Sequence, residues 1–167
     1  MPTVDIDSNA ALEEYLDRVE QRRAVVIAVD TNVLIYANRA ELPLHAVART
    51  RLAELAEGAV PWGLPVVAAW GFVRIVTQPI FDPPTPIGQA VEFIDQLLAS
   101  PTVRVLRPGS RHWKLLRTIL DEGQARGGLV TDAVIVALCR EHGVDTVLSN
   151  DRDFDRFPDV RVARLGA

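Results

Sequence analysis

The stretch VVIAVDTNVLIYA, Val25 to Ala37, joins two different apolar patterns at Asp30. Val25–Val29 is apolar at every position, which is typical of a strand buried on both faces of a parallel sheet. The spacing of apolar residues then changes and predicts a helix over 31–38. This stretch therefore places a carboxylate at the carboxyl end of a buried strand.

The same alternation of strand and helix patterns continues toward the C-terminus. A segment with four prolines, TQPIFDPPTPIG at 77–88, predicts a loop. Alternating strands and helices predict an α/β fold with a mostly parallel central sheet flanked by helices. The other predicted strands are 65–69, 103–106, 146–148 and 160–162, and the other predicted helices are 9–23, 44–57, 70–76, 87–98, 111–123 and 131–143.

Composition limits the class of protein. The chain has 167 residues and a net charge of −4, enough for one domain with a sizeable core. We divide it into an acidic helical extension, 1–24, and a domain over 25–167. A single cysteine, Cys139, argues against disulfides and a cysteine-rich zinc site. No apolar run reaches the roughly 18 residues that span a bilayer, and the N-terminus is too polar for a signal peptide, so we expect a cytoplasmic protein without membrane contact.

Acids in two later segments are expected at the same edge of the sheet as Asp30. Asp132 lies in the first turn of a helix that is apolar nearly all round, with Thr131 as its predicted cap and Gly143 as its end. Asp151 and Asp153 follow the strand over 146–148, where extended backbone would point both side chains to one side. Singly, these acids fit ordinary roles at a helix start and in a polar turn.

Taken together, the acids favour a metal site. Carboxylates held close together repel one another unless a cation lies among them. Oxygen ligands of this kind suit Mg²⁺ or Mn²⁺. Such an ion can activate a water molecule and stabilise the charge on a phosphodiester, so the pattern indicates metal-dependent phosphoester hydrolysis.

Three segments carry a resemblance to a known family. VDTNVLIYA, LVTDAVIVALCREHG and VLSNDRDF resemble, in that order, the signature segments of PIN-domain ribonucleases, and look most like the toxins of bacterial VapBC toxin–antitoxin pairs. The resemblance extends over residues 25–165. It implies a three-layer PIN-like fold, a Mg²⁺ or Mn²⁺ site, endoribonuclease activity that leaves 5′-phosphate and 3′-hydroxyl ends, inhibition by a cognate antitoxin, and toxin homodimers.

The resemblance also assigns roles to individual residues. It implies that the metal ligands are Asp30, Asp132 and Asp151. Asp153 matches an extra acid that is often found beside the last of them. Three polar positions match residues that support the acids by hydrogen bonds, and these are Asn32, Thr131 and Ser149.

Two departures from the family pattern bear on activity. The family usually has a glutamate where this chain has Gly71, and the loss of one carboxylate should weaken metal binding. The helical extension over 1–24 is also unusual. Arg74, one helical turn past Gly71, is the predicted RNA contact, with an ion pair to a nearby acid as the alternative. Three further arginines are predicted as surface residues beside the site, namely Arg39, Arg152 and Arg156.

Three functions therefore remain open. The leading one is a metal-dependent endoribonuclease acting as a toxin, with RNA and an antitoxin as partners. The second is a weak or inactive PIN-fold module that binds RNA or an antitoxin without cutting. The third, a small-molecule phosphohydrolase with a DxDxT motif, would require an acid in place of Asn32.

The remaining histidine, tryptophan and cysteine residues are predicted to be structural. The histidines lack metal-ligand spacing, and the tryptophans are assigned to core packing rather than to stacking on bases. Cys139, within an apolar helix, is predicted as a small core residue. The histidines are His45, His112 and His142, and the tryptophans are Trp62, Trp70 and Trp113.

Overall fold

The structure, a computed structural model, describes residues 25–166. The predicted helix over 9–23 lies outside the described residues, and the domain division after residue 24 stays a prediction. Within 25–166, none of the helices is both long enough and apolar enough to cross a membrane.

Within residues 25–166, five parallel strands form the central sheet, so the mostly parallel sheet is confirmed. Their order across the sheet is β3-β2-β1-β4-β5. The chain starts in the central strand, moves outward on one side to β3, and then returns to the other side of β1 at β4. The strands are β1 (Ile27–Val29), β2 (Trp62–Pro65), β3 (Val103–Leu106), β4 (Thr146–Leu148) and β5 (Arg161–Ala163).

This order fixes where a ligand can bind. Between β1 and β4 the direction of chain progression reverses, so the connections that leave these two strands diverge. In open parallel sheets such a switch point opens a crevice at the carboxyl ends of the strands. Asp30 directly follows β1, and Ser149 directly follows β4, so both lie at this crevice.

Six α-helices and one short 3₁₀ helix surround the sheet within the described part of the chain. The helix over Leu129–His142 is buried along most of its length, from Ala133 to Cys139, as its apolar sequence predicts. The helices are α1 (Thr31–Asn38), α2 (His45–Glu57), α3 (Val66–Val76), α4 (Ile87–Leu98), α5 (His112–Glu122) and α6 (Leu129–His142), and the 3₁₀ helix is Arg152–Arg156.

The prediction was wrong where β2 meets α3. The apolar run PVVAA predicts a strand over 65–69, but the strand ends at Pro65 and the helix begins at Val66. Ala68, Phe72 and Val76 are buried at helical spacing, which decides for a helix once the preceding residues form the strand. Gly63 lies within β2, close to the neighbouring strand β3. A Cβ at this position would lie 2.9 Å from the Leu106 side chain, so the close packing favours glycine here.

Two predicted side-chain environments were also wrong. Trp62 is fully buried in β2 as predicted, but Trp70 and Trp113 are 68% and 66% exposed. Their neighbours in sequence carry the buried faces of α3 and α5, so these two indoles point to solvent. The core assignment therefore holds for Trp62 and for Cys139, which is also fully buried.

Arg39, predicted as a surface residue beside the site, is instead buried and holds the proline-rich loop. Its guanidinium donates hydrogen bonds to the Pro83 carbonyl and the Thr85 hydroxyl, each at 3.0 Å. It also lies 4.4 Å from the centre of the Phe81 ring and bonds to Glu41. The loop thus gains a fixed attachment to the end of α1, which the sequence pattern did not indicate.

Replacing this attachment should destabilise the fold. Arg39→Ala removes the hydrogen bonds to the Pro83 carbonyl and to the buried Thr85 hydroxyl together with the contact to Phe81, and is expected to lower the free energy of unfolding by about 2–3 kcal/mol. Arg49→Ala is the matched control, because Arg49 is exposed on α2, and its effect should stay within about 0.5 kcal/mol. Urea denaturation measures both values, and equal effects of the two variants would contradict the anchoring role.

Candidate metal centre

Each acid of the site is placed by the end of a regular element. Asp30 follows β1 and caps α1, where one of its oxygens accepts a hydrogen bond from the Thr31 amide at 2.6 Å. Asp132 lies in the first turn of α6. Asp151 follows β4 and caps the 3₁₀ helix by accepting a hydrogen bond from the Asp153 amide at 2.9 Å.

Three of these carboxylates meet. Asp132, Asp151 and Asp153 each offer one oxygen, and the three oxygens lie within 4.8 Å of one another. The prediction that Asp151 and Asp153 share a side through extended backbone was wrong, because Asp153 lies within the 3₁₀ helix. The helical turn nevertheless brings both side chains to the same place, so the structure gathers the acids by a different backbone geometry.

Asp30 lies beside this group of three oxygens but is not part of it. Its side chain is 4% exposed, and its second oxygen accepts a hydrogen bond from the Ser149 hydroxyl at 2.8 Å. Its charge still acts on Asp132, since it contributes to the raised pKa of that acid. Each Asp30 oxygen has a second lone pair, so the carboxylate keeps acceptor capacity for an ion or a bound water.

Ser149 connects the acids through one buried hydroxyl. Its oxygen donates to Asp30, and accepts hydrogen bonds from the Asp151 amide at 3.0 Å and from the Asn32 side-chain amide at 3.1 Å. The side-chain oxygen of Asn32 accepts a hydrogen bond from the backbone N–H of Asn150 at 3.4 Å. Asn32 and Ser149 therefore occupy the positions that their predicted supporting role requires.

Thr131 does not join this network. It is exposed, and its side chain makes no hydrogen bond to any residue in the described range 25–166. It is also not the cap that the sequence predicted, because α6 begins two residues earlier at Leu129 with Gly128 before it. Gly127 and Gly128 form a turn directly ahead of the helix, and Gly127 has a positive φ of 55°.

Burial and mutual repulsion raise the pKa of two acids. The pKa of Asp132 is raised to about 7, first by burial and then by the charges of Asp30, Asp151 and Asp153. The pKa of Asp30 is raised to about 6 by burial, against the hydrogen bonds from Ser149 and the Thr31 amide that lower it. A cation among the acids would relieve both effects, and four oxygen donors of this kind fit a hard divalent ion.

Arg164 is a supporting residue that the sequence did not reveal. Its guanidinium donates to the Asp151 carbonyl at 2.6 Å and to the Ser149 carbonyl at 3.4 Å, and also bonds to Asp155 at 2.7 Å. Asn150 fixes the same connection by accepting a hydrogen bond from the Leu165 amide at 3.0 Å. Only the pairing of β5 with β4 brings Arg164 here, and no motif marks it.

Gly71 packs against Thr31, the residue that directly follows Asp30, and its alignment with the family's glutamate stays a prediction. A Cβ at this position would lie 3.1 Å from the Thr31 hydroxyl and 3.2 Å from the Thr31 methyl group. The Thr31 side chain therefore fills the space beside Gly71, and a glutamate there would require Thr31 to shift. A single Gly71→Glu substitution is thus no simple restoration of a missing carboxylate.

The other predicted residues lie around or away from the acids. Arg74 is exposed at the end of α3 and makes no ion pair with any carboxylate between residues 25 and 166. Arg152 and Arg156 are exposed on the 3₁₀ helix. The histidines contact backbone or a glutamate instead of the acids of the site: His45 contacts the Tyr36 carbonyl, His142 the Arg107 carbonyl, and His112 the Glu141 carboxylate.

Comparison with known proteins identifies the family of the chain. A model of the PIN domain matches residues 27–160. The chain belongs to the PIN-domain family. Ribonuclease VapC43 of Mycobacterium tuberculosis is 42% identical to this PIN domain over 137 residues, which is 81% of this chain and 92% of that protein. Ribonuclease VapC25 of the same organism is 38% identical over 137 residues, with 81% and 96% covered.

A solved structure supports the same fold. The crystal structure of VapBC2 from Rickettsia felis, bound to a DNA fragment from its promoter, matches with a TM-score of 0.60 at 16% sequence identity. The match covers 84% of this chain and 98% of that chain. The predicted PIN-like α/β fold is therefore confirmed.

The raised pKa values predict how the stability of the metal-free PIN domain changes with pH. In the unfolded chain both acids are ionised above about pH 4, whereas in the folded chain Asp30 and Asp132 hold protons up to about 6 and 7. The folded state therefore binds more protons in this window, and its stability should fall as the pH rises from about 5 to about 7.5.

Thermal unfolding in EDTA measures this dependence. Asp132→Asn removes one charge and should raise the Tm at about pH 7.5 while flattening the profile. Asp121→Asn, at an exposed position of α5, should leave the profile unchanged. A Tm that is lower at about pH 5.5 than at about pH 7.5 would contradict the account.

Arg164 should matter for metal binding because it fixes the backbone that carries Asp151. Arg164→Ala is expected to weaken Mn²⁺ binding roughly tenfold. The affinity of Arg164→Lys should lie between those of the wild type and Arg164→Ala, because a lysine cannot bond to the two carbonyls and to Asp155 at once. Arg161→Ala is the control, since its partner is the exposed Asp145. Calorimetric titration with Mn²⁺ measures the affinities, and equal affinities for both alanine variants would contradict the role.

Proposed function

We propose that this PIN-domain protein is a metal-dependent endoribonuclease, the toxin of a type II toxin–antitoxin pair, which hydrolyses RNA phosphodiesters with a metal-activated water. The observation that carries the proposal is the meeting of three carboxylate oxygens within 4.8 Å at the switch point of the sheet. The names of VapC43 and VapC25, both ribonucleases, support the substrate class.

The acids hold the ion and order its surroundings. Asp132, Asp151 and Asp153 are the proposed ligands, and Asp30 takes part through its free lone pairs, directly or through a bound water. A divalent ion, Mg²⁺ or Mn²⁺, would lower the pKa of a bound water and stabilise the charge that develops on the phosphate. Asn32, Ser149 and Arg164 keep the ligands in place, which commonly governs metal affinity.

The bond changes follow from hydrolysis at the 3′ oxygen. A water oxygen forms a bond to phosphorus as the bond from phosphorus to the 3′ oxygen breaks. The 3′ oxygen leaves with a proton as a hydroxyl group, and the phosphate stays on the 5′ side of the next nucleotide. No side chain of the site needs to form a covalent bond to RNA, and Arg74 is the proposed contact to a phosphate of the strand.

A cognate antitoxin is the proposed protein partner. The support is the kinship with VapC proteins together with the fold shared with the VapBC2 complex. A toxin homodimer within that complex and a cytoplasmic location belong to the same proposal.

A second function is favoured by one observation, the glycine at position 71. Without the usual glutamate, and with Thr31 in its space, the site has fewer carboxylates to hold an ion. The chain would then bind RNA or the antitoxin without cutting. The presence or absence of metal-dependent cleavage separates the two functions.

The purified protein is expected to cut cellular RNA at discrete positions in Mn²⁺ or Mg²⁺ and to lose this activity in EDTA. Asp132→Asn removes a proposed ligand and should reduce the rate by more than about 100-fold while the fold persists. Asp121→Asn, outside the site, should cut at the normal rate. Sequencing of the new 5′ ends identifies the cuts.

The opposite outcomes are equally clear. A folded protein that binds RNA but cuts none at any metal concentration would favour the binding module. Cleavage that persists in EDTA or in Asp132→Asn would overturn the metal-dependent mechanism.

A further inference from the structure

Trp70 is an exposed aromatic residue on a helix whose opposite face is buried in the core. Phe72 and Val76 of α3 are fully buried, whereas the Trp70 side chain is 68% exposed. A large aromatic side chain in solvent forgoes the stabilisation that burial would give it. The exposed indole is therefore available for contact with another molecule.

Arg74 lies on the same surface. Residues four apart on a helix are neighbours, so the Arg74 guanidinium and the Trp70 indole share one exposed face of α3. Arg74 is exposed and is not engaged in an ion pair by any described carboxylate. An aromatic face and a free cation thus stand side by side.

The pair borders the acids of the metal centre. Gly71, which lies between Trp70 and Arg74 in sequence, packs against the Thr31 side chain. The amide of Thr31 in turn donates to the Asp30 carboxylate at 2.6 Å. The helical turn that carries Trp70 and Arg74 is therefore linked to Asp30 through Gly71 and Thr31.

We propose that Trp70 and Arg74 form a binding site for one nucleotide of single-stranded RNA beside the scissile phosphate. The indole stacks on an unpaired base, and the guanidinium binds the adjoining phosphate. Stacking on aromatic side chains combined with cationic contacts to the backbone is the usual mode of single-strand recognition. The proposal rests on the proposed ribonuclease function and identifies the substrate as an unpaired segment, such as a loop.

A protein partner is the competing occupant of this surface. Trp70 also lines an apolar groove of about 230 Å³ between α3 and α4, whose far side includes Val91 and Leu98. RNA is favoured because the exposed guanidinium of Arg74, which pairs with no described carboxylate, lies one helical turn from the indole. The same turn also carries Gly71, which packs against Thr31, the residue whose amide bonds to Asp30. A groove for an apolar helix would need neither feature.

The chain provides its own control for the test. Trp113 of α5 is 66% exposed, nearly the same as Trp70, but no described contact connects it to the acids. Binding is measured in the cleavage-silent Asp132→Asn protein with Mg²⁺, using a short fluorescein-labelled single-stranded RNA of mixed sequence. Trp70→Ala should weaken binding roughly tenfold, Trp70→Phe should retain most of the affinity, and Trp113→Ala should bind normally.

Two further readouts separate stacking from a merely structural effect. The emission of Trp70 should be quenched by RNA in a Trp113→Phe background, and Arg74→Ala should reduce the salt dependence of binding. In the active protein, Trp70→Ala should change cleavage of an unpaired loop through KM more than through kcat.

Three outcomes of these experiments distinguish RNA from a protein partner and test the ribonuclease function. Equal RNA affinity of Trp70→Ala and Trp113→Ala would overturn the inference and leave the ribonuclease function intact. Normal RNA affinity with lost antitoxin binding in Trp70→Ala would assign the surface to a protein. A wild-type protein that neither binds nor cuts RNA would instead overturn the proposed function together with the inference.

Discussion

The buried hydrogen bond from the Ser149 hydroxyl to Asp30 holds together the two halves of the site. It joins the end of β1 to the end of β4 at 2.8 Å, where the sheet opens at its switch point. The same hydroxyl accepts from the Asp151 amide, so it also sets the start of the connection that carries Asp151 and Asp153. Without this hydroxyl, Asp30 would lose a partner in a buried setting, which is costly.

Four carboxylates, those of Asp30, Asp132, Asp151 and Asp153, lie close together around this bond, and none of them forms an ion pair with a basic side chain in the described residues. The pKa values of Asp30 and Asp132 rise because burial and mutual repulsion disfavour their ionised forms. Unfavourable electrostatic interactions of this kind are common at catalytic centres, where groups needed for the reaction lower the stability of the fold. Arg164 supports the connection through backbone carbonyls and Asp155, and so leaves the three converging carboxylates available for an ion.

Local sequence signals predicted the elements that carry the acids. The sequence predicts four elements with the same first and last residues as the structure, because each has a clear periodicity with well-marked ends. These elements are the helices 31–38 and 87–98 and the strands 103–106 and 146–148. The approach of Asp132 to Asp151 follows from the same pattern, because α6 leads back into β4 and therefore begins near the carboxyl edge of the sheet, where β4 ends. The boundary between β2 and α3 was not, because a continuous apolar run fits a strand and a buried helix equally well.

The contacts of side chains that join distant segments could not be predicted from the sequence, for a different reason. Arg39, Arg164 and Trp70 belong to no motif, and their environments depend on which distant segments pack beside them. Arg39 is buried by the proline-rich loop, and Arg164 reaches its carbonyls only through the pairing of β5 with β4. The space beside Gly71 likewise depends on the packing of α3 against α1, which shows that Thr31 fills it.

We infer that Asp132, Asp151 and Asp153 hold one divalent ion beside Asp30. Crystals grown with Mn²⁺ and measured for anomalous scattering test this metal site most directly, because manganese is located independently of the protein density. We expect an anomalous peak bonded to oxygens of these three carboxylates, with Asp30 bonded to the ion or to one of its waters. A saturated crystal with manganese only at other places, or with the three acids uncoordinated, would contradict it.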